Sequence, residues 1–527
     1  MTASPSSSRS NLLIALGSGI LVTLCWFLFS WRYGLDFGDE GYYWYGSQRV
    51  LRGEAPIRDF LAYDIGRYLW AAAVMALSGD DGIFTARAAA ALFQALTVCV
   101  GVFLVLQAAD KRLGAAGRIT FALATALILN LWAYPYYKVY DSGASILLVA
   151  MLVLILTSRS AARWFGAGLI LGLAAVMGRN HGAYGIASAL LALGFMLVKQ
   201  GRRNELIRPA LAFIGGTVIG FSPTFAMEIF KPGFLDAFIA GVIEHVHSTA
   251  TATNIPLPVP WPWTITHGKD GWVLWAIAFA EGMAFIALLL VPILTLLALL
   301  RKPAADYTRL HYLLAAAAIA GLIYAHYAYS RADLVHVAVS IAPLLFIALG
   351  AASLVRAAMP VAVGVLALSV LMLAKEAPVL SSKVLGQPTK TVLVNGSELY
   401  VPSYIARDLL GSEQVFSVLP DARRNFLAVP NFPAFYAINK SKMAIWEIYA
   451  LSARDTAFET AELARLVKAQ PEVVMVSDHA LDHRPELRYS RMHPLIYQWI
   501  LNHYQRVDLA PSADLEIYVK NTRIAGQ

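Results

Sequence analysis

The chain reads as a series of long apolar runs separated by short polar turns. The runs fall near 12–31, 84–107, 118–134, 142–157, 163–178, 182–198, 208–229, 272–300, 310–329, 335–353 and 357–374. Each reaches or approaches the ~17–25 residues a helix needs to cross the hydrocarbon core, which predicts eleven transmembrane helices. A shorter run at 66–78 ends in SGDDG and is expected as an interfacial or re-entrant helix. Beyond 375 the pattern changes. TKTVLVNG, EQVFSVLP, PEVVMVSD and ADLEIYVKN read as short β-rich runs, with helix-like stretches at 454–469 and 494–504 between them. Asn395-Gly396 marks a turn there. The expected fold is an all-α polytopic membrane bundle over 1–375, whose first connecting loop spans 32–83, followed by a small α/β domain over 376–527.

Composition agrees with a membrane protein. Of 527 residues 58% are hydrophobic and only 14% charged, against roughly 25% charged in soluble domains. The net charge of +8 would suit nucleic acid, but its distribution argues for topology instead. Basic residues gather at alternate turns: Arg9; Lys111, Arg112 and Arg118; Arg159 and Arg163; Lys199, Arg202, Arg203 and Arg208; Arg301, Lys302 and Arg309; and Arg356. The short turns on the other side hold only Lys138, Arg179 and Arg331. The positive-inside rule then places the N-terminus in the cytoplasm, and an odd span count places 376–527 in the periplasm or its equivalent. The Ala-rich composition points to a bacterial plasma membrane. The first apolar run lacks a small-residue cleavage site and is expected as a retained helix. Cys25 and Cys99 both lie within apolar runs and suggest neither a disulfide framework nor a zinc site.

The same topology sorts the remaining polar residues onto one membrane face. Asp36, Asp39, Glu40, Arg58, Asp59 and Arg67 lie in the first outer loop. Lys138 and Asp141 follow the third span, Arg179, Asn180 and His181 the fifth, and Arg331, Asp333 and His336 the ninth. Charges this dense beside a membrane mark function. Outside the plasma membrane no nucleotide-activated donor is supplied, so a sugar donor would be anchored in lipid as a polyprenyl phosphate. Its phosphate is already a competent leaving group. Such a reaction needs a carboxylate to take the acceptor proton and fixed cations to stabilise the departing phosphate. Asp39 suits the first role, with Asp36 or Glu40 beside it. Arg179, Arg331, Lys138 and His181 suit the second, and Asp141, Arg58, Asp333 and His336 would position acceptor or sugar.

The segment GDEGYYWYGSQRVLRGEAPIRDF resembles the first outer loop of the GT-C superfamily of integral-membrane glycosyltransferases. It is most similar to the branch with protein O-mannosyltransferase-like, aminoarabinose transferase-like and rhizobial lipopolysaccharide-core transferase-like enzymes. In those families an Asp-Glu pair follows the first helix, and the Asp is taken as the base; here the pair is Asp39-Glu40. SGDDGIFTARAAAALFQALTVCVGV resembles the start of the family's second helix, with Arg87 at the matching position, and SRADLVH resembles its Arg-x-Asp-x-x-His pattern. The resemblance implies a transferase that uses a polyprenyl-phosphate sugar, with a lipid, polysaccharide or protein acceptor and no nucleic-acid partner.

Duller readings compete at each position. Asp141 could cap the fourth helix. Arg179 and His181 could be interfacial anchors, and Arg331 and Asp333 could pair within their turn. Tyr42 to Tyr45, and Trp261 and Trp263, read as interfacial aromatic belts before they read as sugar platforms. His245 and His247 would diverge on a helix, and DHALDH, with His479 and His483, reads as a solvated turn. The acidic oxygens of Asp36, Asp39 and Glu40 would suit Mg²⁺ or Mn²⁺, but the carboxylates are too few to assign a metal. A lipid-linked-sugar transporter is the alternative class. It would want ionisable residues at mid-membrane and an inverted repeat, and the spans carry little charge beyond Glu228 and Glu281.

Overall fold

The structure, a computed structural model, describes residues 5–109, 113–200, 203–247, 257–265, 271–353, 358–508 and 515–521. The chain divides into two compact units. The first comprises 1–31, 87–229 and 256–385; the second comprises 32–86, 230–255 and 386–527.

The first unit is helical, and all eleven apolar runs fall on helix. Among the described residues, eight helices are long and apolar enough to cross a membrane, or nine if the bent pair Leu334–Ser340 and Ala342–Ala352 is one span. Ala161–Met177 and Ala358–Leu373 are shorter, at 17 and 16 residues. The chain is thus a multi-pass membrane protein. The bent pair turns by 55° at Ile341. Pro343 explains the break, because it lacks the N–H that would continue the ladder and its ring meets the carbonyl four residues back.

Burial ranks the helices. In the Tyr136–Thr157 span 83% of the apolar window is enclosed, whereas in Ile207–Phe230 only 22% is, so the former is central and the latter peripheral. Ile207–Phe230 is nonetheless held tightly on one side. A Cβ at Gly216 would lie 2.1 Å from the Phe165 carbonyl oxygen, and one at Gly168 would lie 2.0 Å from that of Phe213. Gly172 and Gly220 repeat the contact one turn on, so two small-xxx-small stripes bring the backbones together.

The second unit joins the first loop to the C-terminal segment. Helix Asp39–Leu51 packs against helix Pro433–Asn439 so closely that a Cβ at Gly41 would sit 2.4 Å from the Ala434 nitrogen. The Ala434 N–H donates to the Phe37 carbonyl (3.1 Å), the Leu61 N–H to that of Trp446 (2.9 Å), and the Met443 N–H to the Tyr45 hydroxyl (2.8 Å). The run at 66–78 is indeed a short helix, Gly66–Ser78, closed by Gly79 in the left-handed region (φ 68°).

The sheets complete this unit. Strands β1 (Lys390–Val394) and β2 (Ser397–Val401) form a hairpin, with Asn395 and Gly396 both at positive φ, as a type I′ turn requires. Strands β3 (Phe426–Val429), β4 (Val473–Val476), β5 (Tyr504–Val507) and β6 (Glu516–Lys520) form a sheet in the order β3-β4-β6-β5. The β3–β4 pair is parallel, and both strands are buried at every position, as helix-covered strands are. EQVFSVLP departs from expectation. Its residues end the helix Ser403–Val418 and enter the turn after it, because Ile405, Leu409, Ser412, Val415 and Phe416 bury one helical face. His483 lies in a one-turn 3₁₀ segment, Leu481–His483.

Replacing Gly41 with Leu is expected to drive a side chain into the Ala434 backbone. The full-length variant should lose several degrees of melting temperature or fail to accumulate, in line with the ~1–3 kcal/mol or more of overpacking. Wild-type melting would show that the two helices separate without cost.

Candidate active site

The acidic cluster grows out of the first turn of Asp39–Leu51. Asp39 is the first helical residue, at the positive end of the helix dipole, which favours a carboxylate there. Asp36 Oδ1 accepts from the Gly38 N–H (2.8 Å), and the Asp36 N–H donates to Glu40 Oε2 (3.3 Å). Asp39 Oδ1 accepts from the hydroxyl of Tyr449 (2.9 Å), a residue 410 positions away. Glu40 is buried, while Asp36 and Asp39 keep partial exposure. Burial first, and then the charges of Asp39 and Glu40, push Asp36 up to about 7.

Aromatic rings wall this cluster. Tyr42 stacks on Tyr449 at 5.0 Å and 23°, and meets Tyr63 and Tyr68 edge-on at 5.8 and 6.0 Å. Beyond them lies a charge network centred on the buried Glu447 and His493. Arg454 Nε donates to Glu447 Oε1 (2.6 Å), its guanidinium also pairs with Glu244, and His493 Nε2 lies 3.3 Å from Glu447 Oε2. Burial outweighs Arg454 at Glu447, raising it to about 7, and burial lowers His493 to about 4. These aromatic walls and the Arg454 network left no periodicity in the sequence. Tyr449 could have been found only through its long-range contact.

Most of the remaining expected site residues form one network in the first unit. Asp333 caps helix Leu334–Ser340, its Oδ1 accepting from the His336 N–H (2.9 Å) and from His336 Nδ1 (2.7 Å), and its Oδ2 from Arg331 Nε (3.0 Å). Burial alone would raise Asp333, but the His336 hydrogen bonds and the Arg331 charge hold it below the usual carboxylate range. His336 stacks on Tyr327 (5.2 Å), whose hydroxyl accepts from Lys138 Nζ (3.1 Å). One turn away on the same helix, Tyr324 bonds His181 Nδ1 (2.9 Å), and His181 Nε2 meets Asp141 Oδ1 (3.0 Å). Tyr184 stands edge-on to both Tyr324 and Tyr327.

Two expectations change at this point. His181 is fully enclosed and engages both ring nitrogens inside the protein, so it supports Asp141 and does not present a nitrogen to a phosphate. Arg58 is bound in a fork to Asp59 (2.8 and 3.0 Å) and to the Pro232 carbonyl (2.9 Å), which makes it a brace of its loop. Arg179 opens helix Arg179–Gln200, two positions before His181, and is partly exposed. Arg87 is buried, donates to the Trp31 carbonyl and lies over the Tyr136 ring, closing the end of the first span. Among the described residues no three His, Cys, Asp or Glu side chains are placed to hold a metal. Asp36, Asp39 and Glu40 each direct one oxygen to a protein donor.

The fold is shared with a solved structure. ArnT from Cupriavidus metallidurans, crystallised with undecaprenyl phosphate, superposes with a TM-score of 0.50 at 16% identity, covering 98% of each chain. Two structures of the Archaeoglobus fulgidus oligosaccharyltransferase overlap at lower scores. One, tethered to an acceptor peptide, gives 0.47 at 13% identity, and AglB with an inhibitory peptide and a dolichol-phosphate gives 0.43 at 13%; each comparison covers 98% of this chain and 74% of the other. No protein-family model and no curated protein sequence matches the chain. The ArnT superposition shows a GT-C fold.

The raised Asp36 has a measurable consequence. Its folded value of about 7 exceeds the ordinary 3.8, so between these values the folded state holds a proton that the unfolded state has lost. That stabilisation is full below about 4 and disappears as pH rises through 7. Asp36→Asn should therefore gain on the wild type as pH rises from 5 to 8, by roughly 3–6 °C in melting temperature at pH 8. Glu447 and His493 titrate alike in both proteins and cancel in the difference. A gap that stays constant with pH would mean that Asp36 is ionised throughout.

Proposed function

We propose that this chain, which has the GT-C fold, transfers a sugar from a polyprenyl-phosphate donor to an acceptor hydroxyl at the periplasmic face of the bacterial inner membrane. The observation that carries the reading is the placement of Asp39. It opens the helix after the first span, keeps partial exposure and has one oxygen held in place. A polyprenyl donor is supported by a fold shared from end to end with a protein whose structure holds undecaprenyl phosphate.

Asp39 takes the proton of the acceptor hydroxyl as its oxygen bonds to the anomeric carbon. The bond from that carbon to the phosphate oxygen breaks, and polyprenyl phosphate leaves with the electron pair. Lys138, Arg331 and Arg179 supply the positive charge that the departing phosphate needs. Asp333 fixes Arg331 and His336 in orientation, and Tyr327 does the same for Lys138. Glu40 and Asp36 set the backbone that carries Asp39. Asp141, backed by His181, lies on the central helix and positions the sugar. The acceptor is a lipid, a polysaccharide or a protein of the envelope.

Asp39→Asn is expected to lower transfer at least about 100-fold while leaving expression and melting unchanged. Mass analysis of envelope glycans from cells with the wild-type protein, the variant or neither reads this out. Near-wild-type product from the variant would remove Asp39 from the role of base. Orientation has its own test. An impermeant maleimide should label Asp482→Cys in intact spheroplasts and Arg163→Cys only after lysis. The reverse pattern would place the C-terminal segment in the cytoplasm.

A further inference from the structure

The C-terminal segment reaches the proposed base directly. Tyr449 donates its hydroxyl to Asp39 Oδ1 at 2.9 Å, and it is held for that purpose from several sides. Its neighbours are pinned by backbone bonds, Ala450 N–H to the Pro430 carbonyl (3.0 Å) and Ile448 N–H to that of Trp446 (2.9 Å). Its ring stacks on Tyr42, which shares the Asp39–Leu51 helix with Asp39. The ring also packs beside Gly38, where a Cβ would meet Tyr449 Cε2 at 3.4 Å, at ordinary contact distance. The side chain is buried, with 6% of its surface exposed, whereas Asp39 keeps access to solvent.

A carboxylate on a short stem turns easily about its last bond, because that torsion is broad and two-fold. Fixing one oxygen fixes the direction of the other. We propose that Tyr449 is a positioning residue for Asp39, its phenol securing Oδ1 so that Oδ2 faces the acceptor hydroxyl. This rests on the reading of Asp39 as the base and gives the C-terminal segment a part in the reaction. It follows the general logic in which a base is oriented by a third group behind it. A phenol is suited to the task. Burial and the facing charges of Asp39 and Asp36 push its ionisation well above the ordinary range, so it stays a donor at every working pH. Among the described residues, Asp36 and Tyr449 are the titratable groups seen to act on Asp39; Glu40 acts on Asp36, and Tyr63 faces Tyr449 behind them.

Tyr449→Phe keeps the stacked ring and deletes only the donor. The experiment uses the full chain in detergent, labelled with carboxyl-¹³C aspartate, and follows the carboxylate bands by infrared difference spectroscopy against pH. Asp39→Asn identifies the Asp39 band. Loss of a hydrogen bond to the charged form should move that band's midpoint up by about one pH unit in Tyr449→Phe. In parallel, membrane vesicles holding each variant receive a radiolabelled polyprenyl-phosphate-sugar fraction extracted from the same membranes, and label passing into glycan is timed between pH 5.5 and 8.5. Tyr449→Phe should cut the limiting rate about ten-fold with little change in half-saturating donor, and shift the acid limb upward with the infrared midpoint.

An unmoved infrared midpoint would overturn the contact itself. A shifted midpoint with a wild-type rate and pH profile would show a contact without a positioning role, and so overturn the proposal. Full transfer by Asp39→Asn would instead remove the base from beneath it, leaving the infrared shift as a purely structural fact. The melting curve of Tyr449→Phe should match the wild type, which separates these outcomes from misfolding.

Discussion

A cluster of carboxylates at the end of a membrane helix has to be satisfied by protein groups, because neither hydrocarbon nor a like charge will do it. In the second unit that constraint sets the architecture. Asp36, Asp39 and Glu40 gather at the positive end of one helix and take donors from the Gly38 amide, the Tyr449 phenol and the Asp36 amide. The phenol arrives because the loop and the C-terminal segment fold as one body, and they can do so because Gly41 lets two helix backbones meet. The acidic motif and the distant α/β segment are therefore parts of one structural problem.

The first unit treats its charges in the same way. Asp333 holds Arg331 and His336 and caps a helix with a single carboxyl group, while Asp141 holds His181. Tyrosines carry the links between these groups. Tyr324 and Tyr327, one turn apart, connect the Asp141 and Asp333 clusters through ring contacts and hydroxyls. A phenol bonds a polar group at one end and packs as a hydrophobe at the other, which suits a site at the edge of an apolar bundle.

How much of this was legible depended on the range of the interaction. Helices were read well, because a run long enough to cross a bilayer is recorded in consecutive residues, and every apolar run fell on helix. The Asn395-Gly396 hairpin was local too, since two positive φ angles call for those residue types. EQVFSVLP misled because Val and Phe favour strands locally, whereas burial along one helical face decided the outcome. His181 stands two residues from Arg179 in sequence, yet packing turns it inward to Asp141. Arg58 was claimed by the adjacent Asp59. Tyr449 gave no local sign at all, because a contact across 410 positions leaves no trace in spacing or periodicity.

The carboxylates differ in the kind of partner each has. Asp333 is bound by a guanidinium and an imidazole, and is held below the usual carboxylate range. Such a group stays ionised and is a poor acceptor of protons, which suits a residue that fixes cations in place. Asp36 is pushed the other way, to about 7, and is largely protonated below that pH. A neutral neighbour spares Asp39 a second charge at close range. Asp39 itself has a neutral phenol as its side-chain donor. An arginine in that place would lower a carboxyl by about 1–3 units and weaken its basicity. A phenol orients a carboxyl without placing a second charge beside it. Partial exposure and an uncharged side-chain donor are what the proposed role of Asp39 asks of it.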